Sequence, residues 1–338
     1  REGRAVAMGS GAPALSESVA AFERDGYVVL RSFASKAECE GMLAAMARLI
    51  DQWTPGAANE KLSIFRTDGE QEGAQGSDDY FLSSADKVRF FLEPGAADDS
   101  TGALRPGVEK STALNKVGHA LHELVPEFHK YVQSSKVQEL VNALGMRSPD
   151  LVQSMYIFKQ PRIGAPVTPH QDSSFLRTDP PSCIGLWLAL EKADETNGCL
   201  WARPGSHAEP LRRHFARDVP VSQNPGGRPG EGKMTFVKLP GSEKAEASKW
   251  EGGMPEGVAD PAELGFVPVI AGPGDLVVIH GQVDHCSLPN VSEKSRHTFQ
   301  LHIVEGREGG VQWDERNWLA YPPGKAFPKF RSLPKDAV

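Results

Sequence analysis

The spacing of apolar residues changes along the chain, from a helical period in the first half to short continuous runs in the second. Over residues 36–50, apolar side chains recur at every third or fourth position, which predicts a helix with one buried face. The segment Ser35–Glu38, at the start of this stretch, has the sequence of a capping box, so the helix should begin there. Similar spacing predicts helices over residues 16–25, 114–124 and 135–144.

After Pro149 the pattern becomes that of short strands separated by turns. The run Cys183–Leu190 is apolar at almost every position, which is typical of a strand that is buried on both faces. Other strands are predicted at residues 27–30, 88–91, 151–158, 199–201, 266–270, 276–280 and 298–305. Short strands after a helical part predict a mainly β fold, a cupin-like double-stranded β-helix (jelly roll) with N-terminal helices packed outside it.

Two segments differ from the rest in composition. Residues 1–12 are small, polar and Gly-rich, and we expect a disordered leader or a cloning remnant, with residues 13–338 forming one domain. Residues 221–263 are dense in Gly, Pro, Lys, Glu and Ser, and a loop of this length inside a domain is usually functional or disordered. A lid over a site and a tolerated surface insertion both remain open.

Charge and composition narrow the classes of partner. The chain has 338 residues and a net charge of -7, which argues against nucleic acid because nucleic-acid binding usually needs a basic face. No apolar run is long enough to span a membrane, and no segment has the form of a signal peptide. The four cysteines are widely spaced, as in reduced thiols, so we expect an intracellular, cytoplasmic protein. The oligomeric state is left open.

The candidate chemistry lies in the stretch Thr168–Asp172. It places His170 and Asp172 two residues apart, and in an extended chain such side chains point to the same face. Two ligands on one face, together with a second histidine from elsewhere, form the arrangement that holds Fe(II) in non-haem oxygenases. Alone, a His-x-Asp pair is a weak signal, because His and Asp are common and such pairs usually lie on the surface in contact with water.

Spacing does not identify the third ligand. His280 ends a predicted strand and His285 follows five residues later. His207 and Glu209 form a similar pair, but they follow a Pro-Gly-Ser turn, which more often positions backbone than metal. Three more histidines lie in the part predicted to be helical, where surface or core positions are usual: His119, His122 and His129.

Arg296 precedes the last predicted strand and shares a face with its even-numbered positions, including Gln300 and His302, whereas the odd-numbered face is largely apolar. An arginine entering a β-barrel needs an anion, and a guanidinium binds a carboxylate through two parallel hydrogen bonds. The anion is either a dicarboxylate co-substrate or one of the chain's own 44 acidic residues.

Longer motifs follow one another along the chain. They are Asp79–Ser84, Lys87–Phe91, Asn115–His122, Val152–Pro161, Pro169–Asp172, Asn197–Trp201, Pro204–His207 and Leu276–Gly281, followed by His285 and Ser295–Arg296. With these motifs the chain resembles the phytanoyl-CoA dioxygenase family of Fe(II)- and 2-oxoglutarate-dependent oxygenases. The resemblance runs from about Phe22 to Trp318. Residues 221–263 are longer than the family pattern.

The resemblance implies a role for seven residues. The iron ligands, and thus the catalytic residues, would be His170, Asp172 and His285, and the distal carboxylate of 2-oxoglutarate would bind Arg296. Three further residues would line the 2-oxoglutarate pocket: Lys116, Met155 and Trp187. From residue chemistry alone, Met155 and Trp187 would be core residues and Lys116 a solvated charge on a helix.

The resemblance also implies the reaction. Fe(II), 2-oxoglutarate as co-substrate and O2 would hydroxylate an aliphatic C–H of a small molecule, an acyl-CoA or another metabolite, with release of succinate and CO2; ascorbate would serve as reductant in assays. Asp172 occupies the position that a halogenating relative would leave to chloride, which favours hydroxylation. Basic residues that could bind CoA phosphates, or form a solvated face, are Arg203, Arg212 and Arg213. The alternatives are a non-catalytic, metal-stabilised β-barrel and a zinc hydrolase, which gives Arg296 no role.

Overall fold

A computed structural model describes residues 6–7, 12–56, 62–67, 75–98, 103–223, 233–245 and 253–331. The helices are α1 (Ala12–Asp25), α2 (Lys36–Gln52), α3 (Asp79–Leu82), α4 (Leu121–Leu124), α5 (Pro126–Val132) and α6 (Ser135–Ala143). The strands of the first half are β1 (Val6–Ala7), β2 (Tyr27–Arg31), β3 (Ser63–Ile64), β4 (Val88–Leu92) and β5 (Leu114–His119). The later strands are β6 (Pro149–Ile157), β7 (Val167–His170), β8 (Thr178–Asp179), β9 (Ile184–Ala189), β10 (Leu200–Ala202), β11 (Arg213–Arg217), β12 (Met234–Lys238), β13 (Val267–Val269), β14 (Leu276–His280), β15 (His285–Ser287), β16 (Thr298–Glu305) and β17 (Gln312–Trp313).

Two sheets form the core of the fold. The larger has the order β1-β2-β14-β9-β16-β6-β5-β4-β3, and the smaller has the order β13-β10-β15-β7. Trp187 and Val277 of the larger sheet share one buried apolar cluster with Leu200 and Cys286 of the smaller sheet, so the two sheets pack face to face. This is the predicted double-stranded β-helix.

The outer face of the larger sheet is covered by helices, as predicted. The capping box at the start of α2 is formed, because Ser35 Oγ accepts from the Glu38 N–H and Glu38 Oε2 accepts from the Ser35 N–H. Met42 and Met46 of α2 lie in the same buried cluster as Leu301 of β16. The odd-numbered face of β16 is covered by α5, because the Phe128 ring lies 4.8 Å from the Phe299 ring between centroids.

β16 is the central strand on which the two faces of the larger sheet are most clearly separated. It pairs with β6 and with β9, and Gln300 lies opposite Met155 on one side and Trp187 on the other. The odd-numbered residues Phe299 and Leu301 are buried under the helices. The predicted alternation is confirmed, and the strand begins at Thr298 as predicted, two residues after Arg296.

The predicted helix over residues 114–124 is wrong. Residues 114–119 form β5, which pairs with β4 and β6, and only Leu121–Leu124 is helical. All six positions of β5 are buried, so side chains on both faces contact protein. Apolar residues spaced three and four apart fit a helix locally, but here the pairing with two neighbouring strands determines the conformation.

The segments of unusual composition are described only in part. Val6–Ala7 pairs in parallel with β2, and the other residues of 1–11 lie outside the described ranges. Within residues 221–263, β12 pairs with β11 as a two-stranded sheet, whereas 224–232 and 246–252 lie outside the described ranges. Among the residues that are described, no helix combines the length and apolar character needed to cross a membrane.

The two faces of β16 predict unequal costs of truncation. Leu301→Ala should lower the free energy of unfolding by about 2–5 kcal/mol, because it leaves a cavity under the helices. Gln300→Ala, one residue earlier and only partly buried, should cost about 1 kcal/mol or less. Urea denaturation of the two variants measures the difference, and equal losses would contradict the assigned faces.

Candidate functional site

The pairing of two short strands brings the candidate ligands together. β7 ends at His170, β15 begins at His285, and the two residues lie directly opposite each other in an antiparallel pair. Their ring centroids are 4.2 Å apart. Asp172 follows β7 and opens a 3-10 turn over Asp172–Ser174, which returns its carboxylate to the two rings.

His170, Asp172 and His285, called the triad below, offer donor atoms that all lie within 4.8 Å of one another. Asp172 Oδ1 is 3.5 Å from Nε2 of each histidine. Each Nδ1 instead faces a backbone carbonyl, Thr168 O at 2.8 Å and Val283 O at 3.1 Å. An Nδ1–H that donates to a carbonyl leaves the lone pair on Nε2, which is the form that binds a metal.

The other candidate ligands point elsewhere. His280 packs against the rings of Phe22 and His207, and its Nδ1 accepts from the Gln282 N–H. Glu209 pairs with Arg203. Within the described residues, the triad is the one group of three His, Cys, Asp or Glu side chains close enough to share a metal ion.

The protonation states of the triad suit a metal site. Burial lowers the pKa of His285 to about 4, so its imidazole is neutral at pH 7. Burial opposes the charge of Asp172, but the neighbouring His285 and His302 rings outweigh that effect and hold its pKa well below the usual range. A neutral imidazole and an ionised carboxylate are the forms that ligate divalent metals.

His302 is a site residue to which the sequence assigns no role. Its Nε2 lies 3.2 Å from Asp172 Oδ2, the oxygen that points away from the two triad histidines. The Gln153 amide N–H donates to its Nδ1 at 3.0 Å, which leaves Nε2 to carry the proton that the carboxylate accepts. A Cβ at Gly185 would lie 3.2 Å from the same carboxylate oxygen. Asp172 is thus held in one orientation, and only the even-numbered position of His302 on β16 hinted at this contact.

Arg296 is a buried cation without an acidic partner in the described part of the chain. Its Nη1 donates to Thr298 Oγ1 at 3.2 Å, and its Nε–H has no hydrogen-bond acceptor there. The guanidinium carbon lies 5.3 Å from the centre of the Trp187 ring. Burial lowers the pKa of Arg296 to about 10, so it stays charged at neutral pH. The alternative of an internal acidic partner gains no support, since nearby Glu191 accepts from Ser295 and His297.

Lys116 is not the solvated helix charge that residue chemistry alone predicts. It is fully buried on β5, with Nζ 3.4 Å from the centre of the Phe65 ring and 3.7 Å from Met155 Sδ. Nζ also lies 3.1 Å from His119 Nε2. The sequence instead predicts that His119 lies in a helix and has no part in the site. Burial lowers the pKa of Lys116 well below its usual range.

One cavity contains all seven residues singled out from the sequence. They line it together: Lys116, Met155, His170, Asp172, Trp187, His285 and Arg296. Aromatic side chains form much of the remaining wall, namely Phe65, Phe81, Phe175 and Trp318. Of the three arginines considered for CoA phosphates, only Arg213 lines this cavity, where it stacks on Phe236. Arg203 and Arg212 instead pair with the buried Asp284.

Comparison with known proteins yields close matches along most of the chain. The model of the family described as Phytanoyl-CoA dioxygenase (PhyH) matches residues 22–298. Phytanoyl-CoA dioxygenase 1 of Oryza sativa subsp. japonica is 42% identical over 303 residues, which cover 90% of this chain and 92% of that protein. Phytanoyl-CoA dioxygenase domain-containing protein 1 of Bos taurus is 41% identical over 309 residues, which cover 91% and 95%.

A solved structure supports the architecture. The epimerase SnoN in complex with Fe3+, alpha ketoglutarate and nogalamycin RO matches with a TM-score of 0.56 and 16% identity, over 96% of this chain and 97% of that one. At this identity the likeness concerns the fold, and the predicted jelly roll is confirmed.

Removal of the buried Lys116 amine should make the protein more stable. The low pKa of Lys116 means that the amine binds a proton more readily in the unfolded chain than in the folded protein. Lys116→Met should therefore raise the free energy of unfolding at neutral pH by about 1–3 kcal/mol, because no charge or unpaired polar group is then buried. The gain should shrink as the pH rises through about 10.4, the usual pKa of lysine, because above that pH the amine is neutral in both the folded and the unfolded state.

Denaturation curves at several pH values measure this gain. Lys36→Met serves as the control, since the Lys36 side chain is 88% exposed. A Lys116→Met protein that is less stable than the unsubstituted protein at neutral pH would contradict the account.

Proposed function

The chain belongs to the phytanoyl-CoA dioxygenase family, and on that premise we propose that it hydroxylates an aliphatic C–H bond of a small molecule. Members of the family are non-haem iron, 2-oxoglutarate-dependent oxygenases, and this chain is an enzyme of that class. In the proposed site the triad binds Fe(II), Arg296 binds the distal carboxylate of 2-oxoglutarate, and three residues line the pocket between them: Lys116, Met155 and Trp187.

One observation carries the proposal. The triad and the buried guanidinium of Arg296 line the same cavity, so a metal-binding donor set and an anion-binding group face one enclosed space. A dicarboxylate keto acid satisfies both, because one end can ligand a metal while the other pairs with Arg296. A hydrolytic zinc centre would need no such buried cation.

The donor set of the triad suits Fe(II). Two Nε2 lone pairs and one ionised carboxylate would hold the ion and would leave its remaining positions to other ligands. Iron bound there, with 2-oxoglutarate and O2, supplies the oxidising power that places oxygen on the substrate and releases succinate and CO2.

The chain's own residues orient the reactants and shield the site. His302 donates to Asp172 Oδ2 and so directs Oδ1 towards the two triad histidines. Arg296 and Lys116 are both buried and place two nitrogen-based donors at the cavity, and hydrogen bonds to an anion are stronger in such a buried setting than in water. Asp172 fills the position that chloride would need in a halogenating site, which favours hydroxylation.

The cavity wall fits a substrate with an apolar body. Phe81 stacks on Trp318 with ring centroids 4.3 Å apart, and both line the cavity beside the triad. Relatives carry the name phytanoyl-CoA dioxygenase, which supports an acyl-CoA or another aliphatic metabolite as the substrate. Arg213 at the same cavity is the basic residue best placed for an anionic part of such a substrate.

The four buried, free thiols support a cytoplasmic location.

The proposed activity can be tested by measuring succinate and CO2 released from 2-oxoglutarate with Fe(II), O2 and ascorbate. We expect release by the unsubstituted protein and its loss in His170→Ala and Asp172→Ala, because each variant removes a metal ligand. His280→Ala is the matched control, since His280 ends β14 of the larger sheet and does not line the cavity. No release under any condition would contradict the oxygenase and favour the non-catalytic, metal-stabilised barrel.

Arg296→Met tests the co-substrate anchor separately from the metal. The affinity for 2-oxoglutarate should fall by about 10-fold to 100-fold, because a charged hydrogen-bonding partner of the carboxylate is lost. The affinity for Mn(II) in the absence of 2-oxoglutarate should stay unchanged, since Arg296 does not contact the triad. Calorimetric titration with each ligand distinguishes the two effects. An unaltered affinity for 2-oxoglutarate would show that Arg296 does not bind its distal carboxylate.

A further inference from the structure

Two buried polar side chains lie next to the triad in sequence but outside its cavity. Gln171 stands between His170 and Asp172, and Asp284 directly precedes His285. Both are completely buried, and neither lines the cavity. Their side chains point to the opposite side of the ligand-bearing backbone, where the proposed reaction gives them no role.

Arg212 contacts both of these side chains. Its backbone N–H donates to Gln171 Oε1 at 3.2 Å. Its guanidinium Nη1 donates to Asp284 Oδ2 at 3.1 Å, and Nη2 donates to the other carboxylate oxygen. One buried residue thus connects the segment that carries His170 and Asp172 with the segment that carries His285.

Arg203 completes the environment of Asp284. Its Nη2 donates to Asp284 Oδ2 at 2.6 Å and its backbone N–H donates to the Asp284 carbonyl at 2.9 Å. Ser206 Oγ accepts from the Asp284 N–H at 2.8 Å. Every polar atom of Asp284 therefore has a partner, so this residue can hold the backbone immediately before His285 in one conformation.

The charges of the cluster balance. Arg203 and Arg212 face Asp284, and Arg203 also pairs with Glu209 at 2.6 Å. A buried ion network of this kind adds little net stability, because desolvation offsets the attraction between the charges. The network therefore contributes mainly by fixing the positions of the segments that it connects.

A second connection joins the two segments without Arg212. The Gln171 amide N–H donates to the Gln282 carbonyl at 2.9 Å, and Gln282 lies three residues before His285. Gln171 therefore takes part in both links between the ligand-bearing segments, one through Gln282 and one through Arg212.

We propose that Arg212 is a positioning residue for the metal centre, which holds the His170–Asp172 and Asp284–His285 segments together so that the triad is preformed before metal binds. The inference rests on the proposed function of the triad. It also gives a role to Arg203 and Arg212, which the sequence suggested only as possible phosphate-binding residues or as part of a solvated face. Residues that orient metal ligands without contacting the metal typically contribute about 10-fold to 100-fold to metal affinity.

The test is the affinity of the metal-free protein for Mn(II), followed by the electron paramagnetic resonance signal of the free ion. Mn(II) accepts nitrogen and oxygen ligands and needs no turnover. Arg212→Met removes the guanidinium, and we expect Mn(II) binding about 10-fold to 100-fold weaker. Arg212→Lys, which keeps one cationic donor, should recover part of the loss.

Arg31→Met is the matched control. It also breaks an arginine–aspartate pair, Arg31 Nη1 to Asp275 Oδ2 at 2.6 Å, but this pair lies at the β2–β14 edge of the larger sheet and not at the cavity. It should keep the Mn(II) affinity of the unsubstituted protein even where its melting temperature falls as far as that of Arg212→Met. Equal weakening in the two variants would reduce Arg212 to a structural residue and overturn the proposal.

Gln171→Met provides a second variant in case Arg212→Met does not fold, since it removes only uncharged hydrogen bonds. Folded Gln171→Met that binds Mn(II) within about twofold of the unsubstituted protein would overturn the proposal, and weakening of about 10-fold or more would support it. An unsubstituted protein that binds no Mn(II) would overturn the proposed function and this inference together. An unsubstituted protein that binds, with variants that bind equally well, overturns the inference alone.

Discussion

The register between β7 and β15 is the constraint on which the site depends. It sets His170 opposite His285, and the 3-10 turn that follows brings the Asp172 carboxylate to both rings. A shift of one residue would turn either histidine to the other face of the small sheet, because side chains alternate along a strand. The network around Arg212 and Asp284 lies behind the same two segments and restrains this register from the outside.

The cavity that results carries charge in an apolar setting. Asp172 is ionised, Arg296 is charged, and Lys116 lies among aromatic rings with its pKa well below the usual range. Buried charges without partners are costly, so the ligand-free protein gives up stability that an anion and a divalent cation would restore. Binding and stability are therefore linked in this site, and substitutions that favour one can weaken the other.

Much of the fold and of the candidate site can be predicted from the sequence, and the features that cannot be predicted have physical causes. Alternation along β16 follows from local pattern and is seen in the structure, as is the capping box of α2. The helix predicted over residues 114–119 is a strand, because apolar spacing alone does not distinguish a helix from a strand buried on both faces, and for the same reason the sequence does not predict the burial of Lys116. The choice of His285 over His280 depends on which strands pair, which spacing along the chain does not contain. The roles of His302 and Arg212 depend on contacts between residues far apart in sequence.

The most direct measurement is a crystal structure of the protein prepared without O2, with Mn(II) and 2-oxoglutarate. We expect one anomalous scattering peak bound by His170, Asp172 and His285, with the distal carboxylate of 2-oxoglutarate at Arg296. A metal peak at His207 and His280 instead, or a carboxylate bound away from Arg296, would contradict this expectation.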